Sequence, residues 1–440
     1  MNYYELRAEF LDVNSQPEIE RQSLKDEQVR RLLRESFEKS DYYRKLIINN
    51  NIDIEEIRSC EDLYKLPIIS SEVFSTSMSE VSMNYDNIVR YCHTSGSTGA
   101  PKRVPYTRKD IELAIISQAR SYLLAGVEPF EKCLCAMTYG PWPSGMICHA
   151  ASEIFGLTIP ADSFLGIDHQ LQSLQKDKLN YMVCLPSLLP RLERYCLEKN
   201  ISPASLSVRK IFVVGELFSE TFRSHYEGVF NAKLINMYAN TEFGLIASEC
   251  QYHNLHVWED FFHVEVIDPD TGKLCEDGVT GELVITALKR EALPLIRYNT
   301  HDLAEMYKEP CECGQTGAYL GPIRGRRDNM FTINGGNIYP IVLENIVTAI
   351  PGLSSFYHCI IDKIDGHDQL SFKIEAKDNV DDQEKEYLAG EFYRELTSFD
   401  LTLRMIFLGL ESASRLNIDI LQPGIISQKS GKIKKIIDRR

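Results

Sequence analysis

The densest chemical potential in the chain lies at 94–102, "TSGSTGAPK", where small hydroxyl side chains and glycines surround Lys102. Backbone N–H groups, Oγ donors and one ammonium in so short a span can wrap a polyphosphate. A Walker-type loop would also need Ser or Thr after the lysine and a helix directly behind it. Here Arg103 follows Lys102, and Pro101 and Pro105 oppose a helix start. The sequence predicts the helix after Thr107 instead, with Thr107 and Asp110 as a capping pair ahead of Ile111, Ala114 and Ile115. The loop then joins two extended segments. Taken alone it is equally a Gly- and Ser-rich surface connector.

A second set of chemically competent residues is Cys250 and His256 in "CQYHNLH" together with Cys311 and Cys313 in "CECG". Three thiolates and one imidazole make a closed, structural tetrahedral site for Zn²⁺. His253 is an alternative to His256, and reduced, unliganded thiols are the other reading.

The elements that must position these groups follow from the hydrophobic pattern. A helix is expected over 23–46, with Ser23 and Asp26 as caps and Val29, Leu32, Leu33 and Phe37 on one face. From about 132 to 239, apolar runs ("KCLCAM", "YMVCL", "KIFVVG", "KLINMYA") alternate with helical patterns, as βαβ units of a mainly parallel sheet do. Over 261–288 the pattern becomes that of hairpins with turns at "DPDTG" and "EDGVTG". Beyond a break near "GRRDNM", a small α+β unit is expected: helix near 341–350, strands near 356–363 and 369–376, helix near 382–397 and strand near 403–409.

Bulk properties narrow the partners. A chain of 440 residues suggests more than one domain. The net charge of -15 disfavours nonspecific binding to nucleic acid or anionic lipid. "MNYYELRAEF" has no signal-peptide character and no apolar run is long enough to span a bilayer, so the chain reads as cytoplasmic. Its 12 Cys are read as reduced thiols or metal ligands; Cys133, Cys135 and Cys184 sit in strand-like runs as small core residues.

The order "TSGSTGAPK", "GELFS", "MYANTEFG", "LIRYNTHDL", "GRRDNMFTINGGNIYP" and "SQKSGKIKK" resembles, motif by motif, the superfamily of AMP-forming adenylating enzymes. Within it the chain is similar to the phenylacetate–coenzyme A ligase family, nearly end to end, through "SFEKSDYYRKLIINNNIDIEEIRSCEDLYKLPIISSEVF", "LHVWEDFFHVEVIDPDTG" and "EALPLIRY". The resemblance implies an α/β fold: a large N-terminal adenylating domain of mixed sheets and helices over 1–328, helical over about 1–80, and a small mobile α+β C-terminal domain over 329–440. It also implies two half-reactions, in which a carboxylate attacks the α-phosphate of ATP and the acyl adenylate is then taken by the thiol of coenzyme A.

Carried over by motif, the resemblance gives each residue a role. Ser95, Gly96, Ser97, Thr98, Gly99 and Lys102 would cradle the β- and γ-phosphates. Tyr238 would flank the adenine, Thr241 would contact the α-phosphate and Glu242 would hold Mg²⁺, while Gly215 and Glu216 would line the adenine from the other side. Ala239 stands where the family usually has Gly. Asp302 would accept both ribose hydroxyls, since a carboxylate can take two donors at once. Arg326 would reach the nucleotide, Asp328 would be the hinge and Lys432 would meet the α-phosphate and carboxylate as charge shifts between them. His301 receives no role.

In "TYGPWPSGMICHA", which stands where relatives bind the acid, Tyr139, Pro141, Trp142 and Pro143 would form a flat apolar wall, with Ser144 and Gly145 completing the pocket. That wall suits a small aromatic acid, and plain core packing is the other reading. Transfer to a carrier-protein thiol or another acceptor, including nucleotidylation of a cofactor, and a catalytically silent nucleotide- or acid-binding protein are the alternative functions. The sequence leaves homodimerisation open.

Overall fold

The computed structural model describes residues 1–94, 102–162, 166–327, 331–333, 336–364, 367–399, 401–412, 414–427 and 433–440. The chain opens with helices α1 (Tyr3–Ser15), α2 (Glu18–Lys39), α3 (Asp41–Asn49) and α4 (Met78–Val81). The single helix expected over 23–46 is two helices. Glu18 starts the first, behind Pro17, and the chain breaks at Ser40, whose buried hydroxyl donates to Glu80 O and Val81 O and caps Tyr43 N. Asp26 is mid-helix and accepts from Cys60 N at 2.9 Å, so it ties α2 to the following segment and does not cap it.

Next come β1 (Ile88–His93), β2 (Arg103–Thr107) and α5 (Arg108–Leu124). The first two strands pair antiparallel, and Thr107 and Asp110 form the predicted capping box at the start of α5. The loop at 94–102 therefore does connect two extended segments.

The large sheet is built from β3 (Cys133–Ala136), α6 (Ser144–Glu153), β4 (Thr158–Pro160), α7 (Ile167–Asp177), β5 (Tyr181–Cys184), α8 (Leu188–Glu198), β6 (Lys210–Val214), α9 (Glu220–Phe230), β7 (Lys233–Asn240), β8 (Gly244–Glu249) and β9 (Leu255–Val257). The strands in the order β4-β3-β5-β6-β7 are parallel, and β8 and β9 then run antiparallel. Alternation explains why these strands read as unbroken apolar runs, since both faces are covered. Leu134, Met182, Ile211 and Val213 pack under α7, α8 and α9, whereas Cys133, Cys135, Tyr181, Val183 and Phe212 pack with α1, α5 and α6.

A second sheet of β10 (Phe262–Ile267), β11 (Gly281–Ala287) and β12 (Tyr298–Ala304) packs on α2 and α3 and is joined at its edge by β15 (Gly325–Arg326). Between these, β13 (Met306–Tyr307) and β14 (Tyr319–Leu320) extend the large sheet beyond β9. Buried Arg297 clips this region together: its guanidinium pairs with Glu265 at 2.9 and 3.0 Å and donates to Leu66 O at 2.6 Å.

The small C-terminal domain begins with the pair β16 (Phe331–Ile333) and β17 (Gly336–Ile338), then α10 (Pro340–Ala349), β18 (Leu353–Ile364), β19 (His367–Ala376), α11 (Asp382–Ser398), α12 (Leu401–Ser412), β20 (Leu416–Leu421) and β21 (Ile436–Asp438). Its sheet order is β20-β19-β18-β21. The strand expected near 403–409 is a helix. Leu403, Ile406, Phe407 and Leu410 are buried while Met405 and Leu408 are exposed, which is a helical and not an alternating period. Among the described residues no helix is long and apolar enough to cross a membrane.

Candidate active site

Parallel strands leave their carboxyl ends on one edge of a sheet, where ligands of α/β proteins gather. Tyr139 follows β3, Asp162 follows β4, Ser187 follows β5, Gly215 and Glu216 follow β6, and Thr241 and Glu242 follow β7. Ser95, Gly96, Ser97, Thr98 and Gly99 lie outside the described residues, as do Asp328 and Lys432. The neck of that first loop is described: Thr94 N donates to Lys102 O at 3.1 Å and Lys102 N to Thr94 Oγ1 at 3.0 Å.

Lys102 points toward the end of β7. Its Nζ lies 3.5 Å from Glu242 Oε1, 3.3 Å from the Tyr298 hydroxyl and 5.5 Å above the Phe74 ring. Tyr298 also donates to Glu242 at 3.4 Å. Burial, and then the charge of Glu242, raise the Tyr298 hydroxyl above the ordinary tyrosine value and keep it a donor.

The turn carrying Thr241 and Glu242 is fixed from behind. Tyr106 donates to Thr241 O at 2.6 Å. Buried Arg290 donates to Glu242 O and to Pro105 O, the latter at 2.9 Å, and its guanidinium stacks 4.2 Å from the Tyr106 ring centre. Sequence reasoning missed Arg290, Tyr106, Tyr298 and Phe74. Tyr298 lay inside a recognised motif, whereas nothing near Arg290 in sequence names its partners.

A second cluster adjoins the first. The buried Tyr238 hydroxyl donates to Asp302 Oδ2 at 2.6 Å, and Asp302 faces Arg326 across the β12–β15 pair. Burial, and then Asp302, hold the Tyr238 hydroxyl well above its usual pKa. Gly215 ends β6 with φ +86, a left-handed conformation that favours glycine. Glu216 accepts from Ser187 N at 2.8 Å and Ser187 Oγ at 3.1 Å, so it stays at the strand ends but faces the cleft toward the small domain, beside Glu344 and Lys435. His301 pairs with Glu282 at 3.1 Å.

The "TYGPWPSG" stretch is bound to both sides of this edge. Tyr139 N donates to Asp162 Oδ2 at 2.8 Å, and His93 N, at the end of β1, donates to Pro141 O at 2.9 Å. The Tyr139 hydroxyl lies 2.9 Å from His149 Nδ1, whose Nε2 lies 3.2 Å from Glu153, which gives this surface a polar margin. Trp142 is half-buried, Pro141 is exposed and Pro143 is buried at the start of α6. Ser144 opens α6, and a Cβ on Gly145 would meet Thr138 O at 2.5 Å; only glycine lets the helix sit so close.

At the far side of the large sheet, the ligand atoms of Cys250, His256, Cys311 and Cys313 all lie within 4.8 Å of one another. Cys250 Sγ and Cys311 Sγ are 3.8 Å apart and Cys313 Sγ is 3.2 Å from His256 Nε2. A tetrahedral site with Zn–S bonds of about 2.3 Å has S···S edges of about 3.8 Å, so the donor set fits zinc. Amide groups of Tyr252, Asn254 and Gln315 donate to the three sulfurs at 3.3–3.4 Å, as thiolates require. Burial lowers His256 to about 4 and keeps its imidazole neutral for ligation. His253 lies toward Glu249, 3.8 Å from its carboxylate, while His256 is the histidine that meets the cysteine sulfurs.

The AMP-binding enzyme family model matches residues 11–287, and that of the AMP-binding enzyme C-terminal domain matches residues 335–440. A phenylacetate-coenzyme A ligase of Thermus thermophilus is 30% identical over 382 residues, covering 82% of this chain and 84% of its own. One from Aromatoleum evansii is 28% identical over 445 residues, covering 97% and 96%. Among solved structures, 2-hydroxyisobutyryl-CoA ligase in the postadenylation state with 2-HIB-AMP is similar with a TM-score of 0.83 at 20% identity, covering 97% of this chain and 91% of that one. In its thioesterification state with 2-HIB-AMP and CoA, the TM-score is 0.69 over the same shares. The chain belongs to the AMP-binding enzyme family and, within it, to the family of phenylacetate-coenzyme A ligases.

Proposed function

We propose that the protein is an AMP-forming acid–CoA ligase that activates a small carboxylic acid, with an aryl or arylacetyl acid as the class favoured by its similarity to phenylacetate-coenzyme A ligases. A carboxylate oxygen attacks the α-phosphorus of ATP, the bond to the β-phosphate bridging oxygen breaks and pyrophosphate leaves. The thiol sulfur of coenzyme A then attacks the acyl carbon and expels AMP. The observation that carries this reading is the convergence of Lys102, Thr241, Glu242, Asp302 and Arg326 at the edge where the parallel strands end.

Lys102, preoriented by Glu242 and Tyr298, offsets charge on the departing pyrophosphate, and the loop of Ser95, Gly96, Ser97, Thr98 and Gly99 supplies further donors. Thr241, held by Tyr106, contacts the α-phosphate. Tyr238 donates to one oxygen of Asp302 and so orients the carboxylate that would take the ribose hydroxyls. Glu242 is the residue that would hold Mg²⁺, which when bound lowers the charge repulsion at the phosphates. The Cys250–His256–Cys311–Cys313 set would hold zinc as a structural pin between two loops.

The small domain, 329–440, turns about Asp328 so that Lys432 serves the first half-reaction and another face serves the thiol. The higher TM-score to the postadenylation form supports reading the present arrangement as the one that serves adenylation. A panel of carboxylates assayed for acid-dependent pyrophosphate release and thioester formation tests the proposal. Release with aryl or arylacetyl acids is expected; no release with any acid would overturn it.

A further inference from the structure

The small domain is fastened to the large one by an arginine that belongs to no recognised motif. Arg194, on α8, donates from Nη1 to Glu375 Oε1 at 3.1 Å and from Nη2 to Ser427 Oγ at 2.8 Å. Glu375, on β19, is fully buried and is the centre of a knot within its own domain: it accepts from Gly424 N and Ile426 N at 2.8 Å, Ser427 N at 2.9 Å and Ser427 Oγ at 2.6 Å. That knot fixes the chain immediately before 428–432, the segment that carries Lys432 in sequence. Just after it, Lys435 is held by Glu344, Cys359 N donates to Lys435 O at 2.7 Å, and His358 meets Lys434 O at 3.0 Å. Both described flanks of that segment are thus anchored, and among the described residues only the first is gripped by the other domain through an ion pair.

We infer that Arg194 is a positioning residue for adenylation: by bridging Glu375 and Ser427 it holds the small domain in the arrangement that serves the first half-reaction, and it releases for the second. The inference rests on the two-step reading proposed above. Its physical logic lies in how the bonds are divided. Glu375 keeps four donors of its own domain when the domains part, so the knot survives, and the Arg194 side chain, 30% exposed already, returns to water. Arg194 adds a charge-assisted bond to the four donors that Glu375 already has, and that bond exists only in the docked form. A single partly exposed guanidinium is weak enough to let go.

The test compares Arg194→Ala and Arg194→Lys with the wild-type enzyme in three readouts. In single-turnover pyrophosphate release, Arg194→Ala is expected to fall about tenfold, the effect of charge-assisted hydrogen bonds to a buried carboxylate, and Arg194→Lys to recover about a third of the wild-type rate. Thioester formation from presynthesised acyl adenylate and coenzyme A is expected to be unchanged or faster in both variants. Unchanged adenylation, or an equal fall in both half-reactions, would overturn the latch. A third readout needs no chemistry: Ser219 Oγ and Thr348 Oγ1 meet across the same interface at 2.8 Å, so the disulfide yield of Ser219→Cys/Thr348→Cys reports docking. Arg194→Ala in that background is expected to lower the yield, and an equal yield would count against the latch even if the wild-type enzyme activated no acid at all, an outcome that would sink the functional reading separately.

Discussion

Arg290→Met probes the scaffold behind the reacting groups. The guanidinium is buried, donates to Pro105 O and Glu242 O and stacks on Tyr106. Methionine keeps the volume and removes the donors, leaving two buried carbonyls short of a partner at about 1–3 kcal/mol each and forfeiting a cation–π contact worth about 0.5–2 kcal/mol. With partial relaxation the expected loss of stability is about 3–5 kcal/mol, read as the shift of the urea midpoint at constant slope. The functional effect is separate. Freed from Arg290, the turn bearing Thr241 and Glu242 loses its tether at Glu242 O and keeps the Tyr106 bond and the side-chain contacts of Glu242 with Lys102 and Tyr298, and a displacement near 1 Å at such a site lowers kcat/KM by about a hundredfold. Pyrophosphate release should be measured at a temperature where titration shows the variant folded. A folded variant with wild-type kcat/KM for ATP, or one with wild-type stability, would show that Arg290 does not hold the turn.

Three further outcomes are expected. Lys432→Ala abolishes adenylate formation but leaves thioester formation from supplied acyl adenylate largely intact; equal loss of both steps would remove its assigned role. The purified protein carries one equivalent of zinc by elemental analysis, and Cys311→Ser loses it together with part of its thermal stability. Burial pushes Asp260 upward, but Arg120, bidentate at 2.7 and 3.1 Å, and Lys289 outweigh it and hold its pKa below the usual range. A depressed carboxylate pKa stabilises the fold above the unfolded value and loses that contribution as pH falls through the folded one, so stability should drop below about pH 4. Arg120→Met should flatten that slope in acid titrations of unfolding.

Local chemistry was the most legible part of the sequence. Pro101, Pro105 and the Thr107–Asp110 pair told where α5 begins because caps and prolines act within a few residues. The buried parallel strands were legible as runs, and the order of motifs named Lys102, Glu242 and Asp302, which the fold brings into neighbouring clusters. Contacts that depend on tertiary distance were not legible. Arg290 and Arg194 are single arginines whose partners lie elsewhere in the chain, and no period or spacing announces them. The misread strand at 403–409 has a simpler cause: a short apolar run fits either period, and burial of Leu403, Ile406, Phe407 and Leu410 on one side is what separates them. Pro143 shows the same limit, since a ring beside a pocket motif can as easily start a helix as line a wall.

The most direct measurement follows oxygen. With acid labelled by ¹⁸O in its carboxylate, attack on the α-phosphorus places one labelled oxygen in the AMP released with each thioester, which mass spectrometry detects. Label is expected in AMP in step with thioester formed. Unlabelled AMP, or label in inorganic phosphate, would contradict it.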